Sequence, residues 1–230
     1  MIEISNLSKH FFIGEKRIDV LRELSLNIKK DKITVILGRS GCGKTTLLRL
    51  IAGLESVSLG EIKFKEQAKI GFVFQEPRLM PFLNVYENIV FPLEKQGIES
   101  EKIDSLISMI GLSDFKFAAV SQLSGGMSSR VSLARVLAYE ANLILMDEPF
   151  AALDAFTRAS MQAEILKIQA GKTILFVTHN IDEALFLADE IILLEKGGIK
   201  SSYELSNLAR PRDLLSEELI AIKRKILSEI

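Results

Sequence analysis

The feature that most constrains this fold is a short apolar run that leads through a glycine-rich loop into a helical pattern. The run KITVILG covers residues 32–38 and is rich in β-branched side chains, as buried strands are. The loop GRSGCGKT follows at 38–45, and TTLLRLIAGL at 45–54 places apolar residues at helical spacing. The sequence therefore predicts a strand, a glycine loop and a helix in direct succession.

The loop at 38–45 matches the pattern G-x-x-x-x-G-K-[ST] in the strand-to-helix context that this pattern requires. Its glycines let backbone N–H groups close around a phosphate, and the helix that follows presents its positive end there. Lys44 is predicted to reach the β- and γ-phosphates of a nucleotide, and the Thr45 hydroxyl to ligate Mg²⁺. An ordinary glycine-rich turn is the weaker alternative because pattern and context coincide. The predicted nucleotide-binding residues of this segment are Gly38, Arg39, Ser40, Gly41, Cys42, Gly43, Lys44, Thr45 and Thr46.

Further apolar runs predict the other strands of a parallel sheet. Residues 143–146, 173–178 and 190–194 are almost entirely apolar, and a helical segment at 181–188 separates the last two. Continuous apolar strands that alternate with helices are typical of parallel sheets covered on both faces. The fold class predicted is thus α/β with a parallel core.

Two regions depart from this pattern. Residues 2–7 and 25–28 alternate apolar and polar side chains, which predicts an antiparallel β subdomain at the amino end. From about 77 to 140 helical signals dominate, with Gly97 and Gly111 as breaks, which predicts an inserted helical subdomain.

Composition excludes several classes of protein. The 230 residues include 29 Lys and Arg against 30 Asp and Glu, so the net charge of -1 offers no general attraction to nucleic acid. A single cysteine, Cys42, excludes an internal disulfide or a cysteine zinc cluster and is read as a small filler of space. No apolar run approaches the roughly 18 residues of a membrane-spanning helix, and residues 1–8 lack a secretory signal. We expect a cytoplasmic protein.

Two carboxylates follow the buried strand at 143–146. Such a position calls for a cation or a proton nearby, which a bound nucleotide with its metal ion supplies. Asp147 is predicted to hold Mg²⁺, and Glu148 to polarise the water that attacks the γ-phosphate. A plain strand exit is the alternative if the phosphate loop is ignored.

The phosphate loop, LSGGM at 123–127, LILMDEP at 143–149 and His179 occur in the order and spacing that resemble the ATP-binding cassette (ABC) ATPases of membrane transporters. The resemblance implies a P-loop NTPase (RecA-like) core, with an ATPase domain at 1–205 and a helical tail at 206–230. It also implies that the glycine segment is offered to the nucleotide of a partner subunit, through Ser124, Gly125 and Gly126. A turn that caps a helix is the alternative for that segment. The family usually continues Gln-x-Gln-Arg, whereas Met127 and Ser129 stand here, which puts one side-chain contact in doubt.

The same resemblance carries over to single positions. Gln75, in GFVFQEP, matches a glutamine that touches Mg²⁺ and the attacking water. Phe11 matches the aromatic residue that stacks on adenine, with Phe12 or a simple core role for Phe11 as alternatives. Asp154, in AALDA, matches the loop that contacts the opposite subunit. His179 matches the residue that contacts the γ-phosphate or orients the water.

The resemblance implies an ATP- and Mg²⁺-dependent homodimer that couples hydrolysis at a head-to-tail interface to transport. Its partners would be a membrane-spanning permease and an extracytoplasmic solute-binding protein, with no nucleic acid, and it would sit on the inner face of the membrane through the permease. The stretch ARPRD resembles importers of nitrate, sulfonate and taurine, and an amphipathic helix is predicted from Leu215, Leu219, Ile222 and Ile226. A cassette ATPase of cell division or lipoprotein release is the nearest alternative. A nucleic-acid motor is disfavoured because such chains carry long coiled coils or two cassettes.

Overall fold

The computed structural model describes residues 1–93 and 99–230, so the predicted break at Gly97 lies outside the described residues. The chain divides into two compact units, of which the first comprises Met1–Ala68 and Gln169–Ile230 and the second Lys69–Ile168.

The first unit carries both kinds of sheet. Its elements are β1 (Ile2–Ile13), β2 (Lys16–Ile28), β3 (Ile33–Leu37), α1 (Lys44–Ile51), β4 (Leu59–Phe64), β7 (Thr173–Thr178), α6 (Ile181–Leu187), β8 (Glu190–Glu195), β9 (Gly198–Glu204) and α7 (Glu217–Glu229). Strand β3 lies between β7 and β8 and is parallel to both, and β9 pairs with β8 in the antiparallel sense. All five residues of β3 are buried, because β-branched and leucine side chains fill both faces of the strand.

A separate antiparallel sheet has the order β2, β1, β4. The predicted strands at 2–7 and 25–28 both extend further and meet in a hairpin, in which Ile13 pairs with Lys16 around Gly14. Because Gly14 adopts a positive φ of 60°, the chain reverses there without strain on a side chain.

The second unit contains a parallel strand pair and the helices. Its elements are β5 (Ile70–Val73), α2 (Val85–Val90), α3 (Ser100–Met109), α4 (Gly125–Ala138), β6 (Leu143–Asp147) and α5 (Ala155–Ile168), with short 3-10 turns at 91–93, 113–115 and 120–122. Its apolar core joins α2, α3 and α4, and its members include Val85, Ile89, Ile103, Ile107, Val131 and Ala134. The predicted fold class, a parallel core with an amino-terminal antiparallel subdomain and inserted helices, is confirmed.

Two predicted helices have different bounds. Helix α1 ends at Ile51, short of the predicted Leu54, because Gly53 turns the chain with a φ of 69°. In the tail, Leu219 and Ile226 are buried as predicted, but Leu215 precedes α7 and is 81% exposed. The prediction for Leu215 is therefore wrong, since the helix starts only after Ser216.

Candidate nucleotide-binding site

The phosphate loop and His179 lie at the same edge of the first unit's parallel strands. Leu37, the last residue of β3, pairs with Thr178 of β7 and with Leu193 of β8. Because paired residues of parallel strands lie side by side, Gly38 and His179 both leave the sheet at its carboxyl edge. In open α/β sheets this edge is where ligands bind.

Only glycine fits at position 38. A Cβ added there would overlap the Leu194 carbonyl oxygen and would lie 2.8 Å from the Cys42 sulfur. Cys42 is itself 8% exposed, so it fills the space beneath the loop, as the sequence predicted. The loop is therefore packed directly against the end of β8.

Gly43 is required for two reasons at the start of α1. Its φ of 105° is a conformation that side chains rarely adopt, and a Cβ would lie 2.7 Å from a Leu21 methyl group and 2.9 Å from the Val20 carbonyl oxygen. Strand β2 thus packs against the loop at this glycine. The antiparallel sheet and the phosphate loop meet within the same unit.

Lys44 is held against the loop's own backbone. Its ammonium group donates to the carbonyl oxygens of Gly38 at 2.8 Å and Arg39 at 3.0 Å, and the residue is only 5% exposed. The ammonium therefore lies among the backbone groups of the loop, where charge-assisted hydrogen bonds to an enclosed anion are short and strong. The predicted contact of Lys44 with a phosphate stays a prediction. Beside the loop a cavity of about 250 Å³ is lined by residues 38–42, 193–196 and 229–230.

The turn that carries His179 is fixed by three neighbours. The Thr178 hydroxyl donates to the Glu183 carboxylate at 2.6 Å in a buried contact, and it accepts from the Asn180 backbone N–H at 3.0 Å. The Asn180 side chain in turn caps α6 by accepting from Asp182 and Glu183 N–H groups. His179 is exposed at the centre of this turn.

Phe11 and Phe12 occupy opposite faces of β1. Phe11 is half-buried, and the Lys9 ammonium lies 4.6 Å from its ring centroid. Phe12 is 64% exposed, and its ring meets His10 edge-on at 5.4 Å between centroids. The two aromatic candidates therefore have different neighbours, a cation for Phe11 and an imidazole for Phe12.

The second unit brings Gln75, Asp147 and Glu148 to one edge. Strands β5 and β6 are parallel with Val73 beside Met146, so Asp147, the last residue of β6, and Gln75 and Glu148, which follow their strands, lie at the same end. Asp147 is 4% exposed, whereas Gln75 is exposed. Glu148 has a φ of 45°, a strained conformation for a residue other than glycine, and such strain concentrates at functional sites.

Ser124 caps the helix that begins in the LSGGM segment. Its hydroxyl accepts from the Met127 N–H at 3.2 Å, and the Met127 sulfur accepts in return from the Ser124 N–H at 3.5 Å. Gly125 and Gly126 are the first two residues of α4, where backbone N–H groups have no partner within the helix. The capping alternative thus holds for Ser124, and it is compatible with an anion at the two glycines.

The LSGGM segment packs against the residues just before Asp154. A Cβ on Gly126 would lie 3.1 Å from a Leu153 methyl group and 3.3 Å from the Ala152 carbonyl oxygen. Asp154 is exposed and caps α5, accepting from the N–H groups of Phe156 and Thr157 and from the Thr157 hydroxyl at 2.6 Å. This hydroxyl bond is the main reason that the pKa of Asp154 lies below its ordinary 3.8.

Ser129, which replaces the family's usual glutamine, turns inward. It is 9% exposed, and its hydroxyl donates to the Gly125 carbonyl oxygen at 3.1 Å, four residues earlier in α4. The side chain is thus used within its own helix.

The residues predicted to bind Mg²⁺ all carry oxygen donors. Thr45, Gln75 and Asp147 carry a hydroxyl, an amide oxygen and a carboxylate, the donor types that this hard ion prefers. In residues 1–93 and 99–230 no group of three or more His, Cys, Asp and Glu is arranged to hold a metal. Magnesium usually takes few protein ligands and completes its shell with phosphate and water.

Sequence reasoning missed Lys9 and Glu183. For Glu183 a sequence signal existed, because Asn180 followed by Asp182 and Glu183 is a typical start of a helix. Lys9 gave no local signal, because its partners Glu55 and Ser56 lie far along the chain.

A parallel α/β core with a phosphate loop, a buried acidic strand end and a serine-capped glycine segment defines a nucleotide-binding cassette. Residues 21–151 match the family model described as ABC transporter. The chain belongs to the ABC transporter family.

Similar proteins cover nearly the whole chain. An uncharacterized ABC transporter ATP-binding protein of Methanocaldococcus jannaschii is 42% identical over 99% of this chain and 90% of its own length. The aliphatic sulfonates import ATP-binding protein SsuB of Bacillus cereus is 39% identical over 99% of this chain and 95% of its own. A solved dimeric ATP-binding cassette in a post-hydrolysis state, bound to ADP and Pi, has a TM-score of 0.83 at 33% identity, covering 89% of this chain and 99% of that one.

These findings confirm the ABC ATPase prediction. The protein is an ABC transporter ATP-binding subunit, and its enzymatic activity is ATP hydrolysis. Within the described residues, none of the helices combines the length and the apolar character needed to cross a bilayer.

Proposed function

We propose that this protein drives the import of a small solute of the nitrate, sulfonate or taurine kind. The observation that carries the proposal is the 39% identity, over 99% of the chain, to a protein named as an aliphatic sulfonates import ATP-binding protein. The ARPRD stretch of the tail points to the same branch.

Each site residue has a proposed role. Lys44 and the glycines of its loop bind the β- and γ-phosphates, while Thr45, Gln75 and Asp147 provide ligands for Mg²⁺. Glu148 polarises the attacking water and His179 contacts the γ-phosphate. The oxygen donors of the metal set and the buried ammonium of Lys44 support these assignments.

The nucleotide is proposed to be shared between two copies of the chain. One copy provides the phosphate loop, and the other provides Ser124, Gly125 and Gly126, with Asp154 near the same interface. Support comes from the packing of Gly126 against Ala152 and Leu153, which joins the LSGGM segment to the Asp154 loop as one surface. A solved relative is likewise described as dimeric with ADP and Pi.

A membrane-spanning permease is the proposed second partner, and Phe82 is the proposed anchor for one of its segments. Phe82 is 77% exposed in a loop that Asn88 holds rigid. The Asn88 amide donates to the carbonyl oxygens of Met80, Leu83 and Asn84 and accepts from the Met80 N–H at 2.8 Å, with no exposed surface. Because the loop is already ordered, an exposed aromatic side chain on it loses little further conformational entropy when it binds an apolar partner.

The docking proposal is tested by co-purification with the permease. Phe82→Ser should lower the yield of the complex while leaving ATP binding unchanged. Phe117→Ser is the matched control, because Phe117 is 71% exposed in the same unit. Equal loss of the complex in both variants would argue against Phe82 as the anchor.

The solute is tested in the assembled transporter. The chain should co-purify with a permease and an extracytoplasmic solute-binding protein, at the inner face of the membrane. Taurine and alkanesulfonates, presented by that binding protein in proteoliposomes, should stimulate ATP hydrolysis more than amino acids or polyamines do. A complex without any solute-binding protein, whose ATPase responds to no solute, would instead favour the cell-division or lipoprotein-release alternative.

A further inference from the structure

Lys9 on β1 is a buried cation outside the predicted site. Lysine is rarely buried, yet Lys9 is 6% exposed. Its ammonium donates to the Ser56 carbonyl oxygen at 2.8 Å, lies 3.4 Å from a Glu55 carboxylate oxygen and sits 4.6 Å from the Phe11 ring centroid. The positive charge is thus compensated by the carboxylate and the carbonyl oxygen, and it also makes a cation–π contact with the ring.

The same contacts tie β1 to the segment that follows the phosphate-loop helix. Glu55 and Ser56 come shortly after α1, which begins at Lys44. On its other side, Lys9 pairs with Leu21 in the β-ladder, and Leu21 is the residue that packs on Gly43. Lys9 therefore connects the strand that carries Phe11 to both ends of the phosphate-loop helix.

We propose that Lys9 is a positioning residue for the nucleotide base, acting through Phe11. Its ammonium lies over one face of the Phe11 ring and holds the ring at a set distance from the phosphate loop, so that adenine stacks on the other face. The proposal rests on the proposed function, in which Phe11 contacts adenine. It adds a residue that touches neither base nor phosphate and yet determines how much the base contributes to binding.

The test separates base from phosphate by comparing two ligands. ATP and inorganic tripolyphosphate are titrated calorimetrically into the full chain with EDTA present, so that neither is hydrolysed. Both ligands use the phosphate loop, but only ATP can use Phe11. A merely structural role for Lys9 would affect both ligands alike.

Lys9→Met keeps the length of the side chain and removes its charge. We expect ATP affinity to fall about 3- to 30-fold, the range of a desolvated cation–ring contact. Tripolyphosphate affinity should stay within about twofold of the native value. Phe11→Leu should show the same selective loss, and the double variant should be no worse than Phe11→Leu, because Lys9 acts through the ring.

Lys9→Gln is a second variant that keeps the test valid if Lys9→Met does not fold. Its amide can still donate to the Ser56 carbonyl oxygen but carries no charge, and it should reproduce the selective loss of ATP affinity. Lys65→Met is the matched control, since Lys65 belongs to an exposed ion pair with Glu3 in the same subdomain. That variant should bind both ligands as the native chain does.

Three results would overturn the inference. They are an equal loss for both ligands in the Lys9 variants, native ATP affinity in those variants, or equal affinity of the native chain for ATP and tripolyphosphate. In the third case the phosphate-loop assignment would survive. A native chain that binds neither ligand would instead contradict the proposed function itself.

Discussion

Thr178 and Glu183 share a buried hydrogen bond of 2.6 Å that spans the turn bearing His179. The bond joins the last residue of β7 to the first turn of α6, so the exposed imidazole projects from a closed and rigid loop. The contact proposed between His179 and a γ-phosphate would benefit from such a support, because small displacements of reacting groups lower the rate strongly.

Glu183→Ala should lower the rate of ATP hydrolysis about 10- to 100-fold through misplacement of His179. The KM for ATP should change little, since the phosphate loop is untouched. Glu183→Gln retains an oxygen that accepts from Thr178 and should preserve most of the turnover. Steady-state kinetics of the two variants make the comparison. A loss of ATP affinity equal to the loss of turnover would show that Glu183 does not act through the turn.

Gly38→Ala should destabilise the first unit by about 1–3 kcal/mol, the usual cost of forcing a methyl group into filled space. The added Cβ would overlap the Leu194 carbonyl oxygen, and the displaced loop should also bind ATP more weakly. Gly198→Ala is the control, because the nearest atoms lie 4.0 Å from its Cβ position and its φ is not positive. Urea unfolding and ATP titration of both variants check the prediction, which fails if the two variants behave alike.

The stability of α5 should depend on pH through Asp154. Because its pKa is lower in the folded chain than the ordinary 3.8, its stabilising effect is complete above 3.8 and is lost as the pH falls through the folded value. Asp154→Asn keeps a cap but cannot titrate. The native chain should therefore exceed this variant in urea midpoint at neutral pH, and the difference should vanish in stronger acid. A difference that is constant with pH would contradict the assignment.

Arg212→Met should lower the free energy of unfolding by about 2–5 kcal/mol, because buried carbonyl groups would lose their donors. Arg212 is 7% exposed and donates to the carbonyl oxygens of Leu185 at 2.9 Å, Ala188 at 2.7 Å and Leu205 at 2.7 Å. Arg224→Met removes an exposed arginine from α7 and should change little. Equal unfolding midpoints for the two variants would show that the tail is not anchored through Arg212.

The elements around the phosphate loop were predictable because their signals are local. The β-branched run before Gly38 and the glycines of the loop act within a few residues, and the parallel strands that end at Asp147 and Thr178 contain continuous apolar runs. The end of α1 was missed because a leucine at 54 continues the helical pattern, whereas Gly53 decides the backbone.

The supporting contacts were not predictable, because they join residues remote in sequence. Lys9 meets Ser56 across 47 positions, and Arg212 meets Ala188 across 24. Nothing near Lys9 or Arg212 marks them as buried cations. The positive φ of Glu148 could not be predicted from the sequence either, since a glutamate gives no indication of such a backbone conformation.

We propose that one nucleotide is bound by the phosphate loop of one copy of the chain and covered by the glycine segment of a second copy. The most direct measurement is the specific ATPase activity of the native chain as its concentration is lowered about a thousandfold at saturating ATP. The ATPase activity per chain should fall steeply on dilution, because pairs of chains separate and leave incomplete sites. Constant activity per chain over the whole range would contradict it.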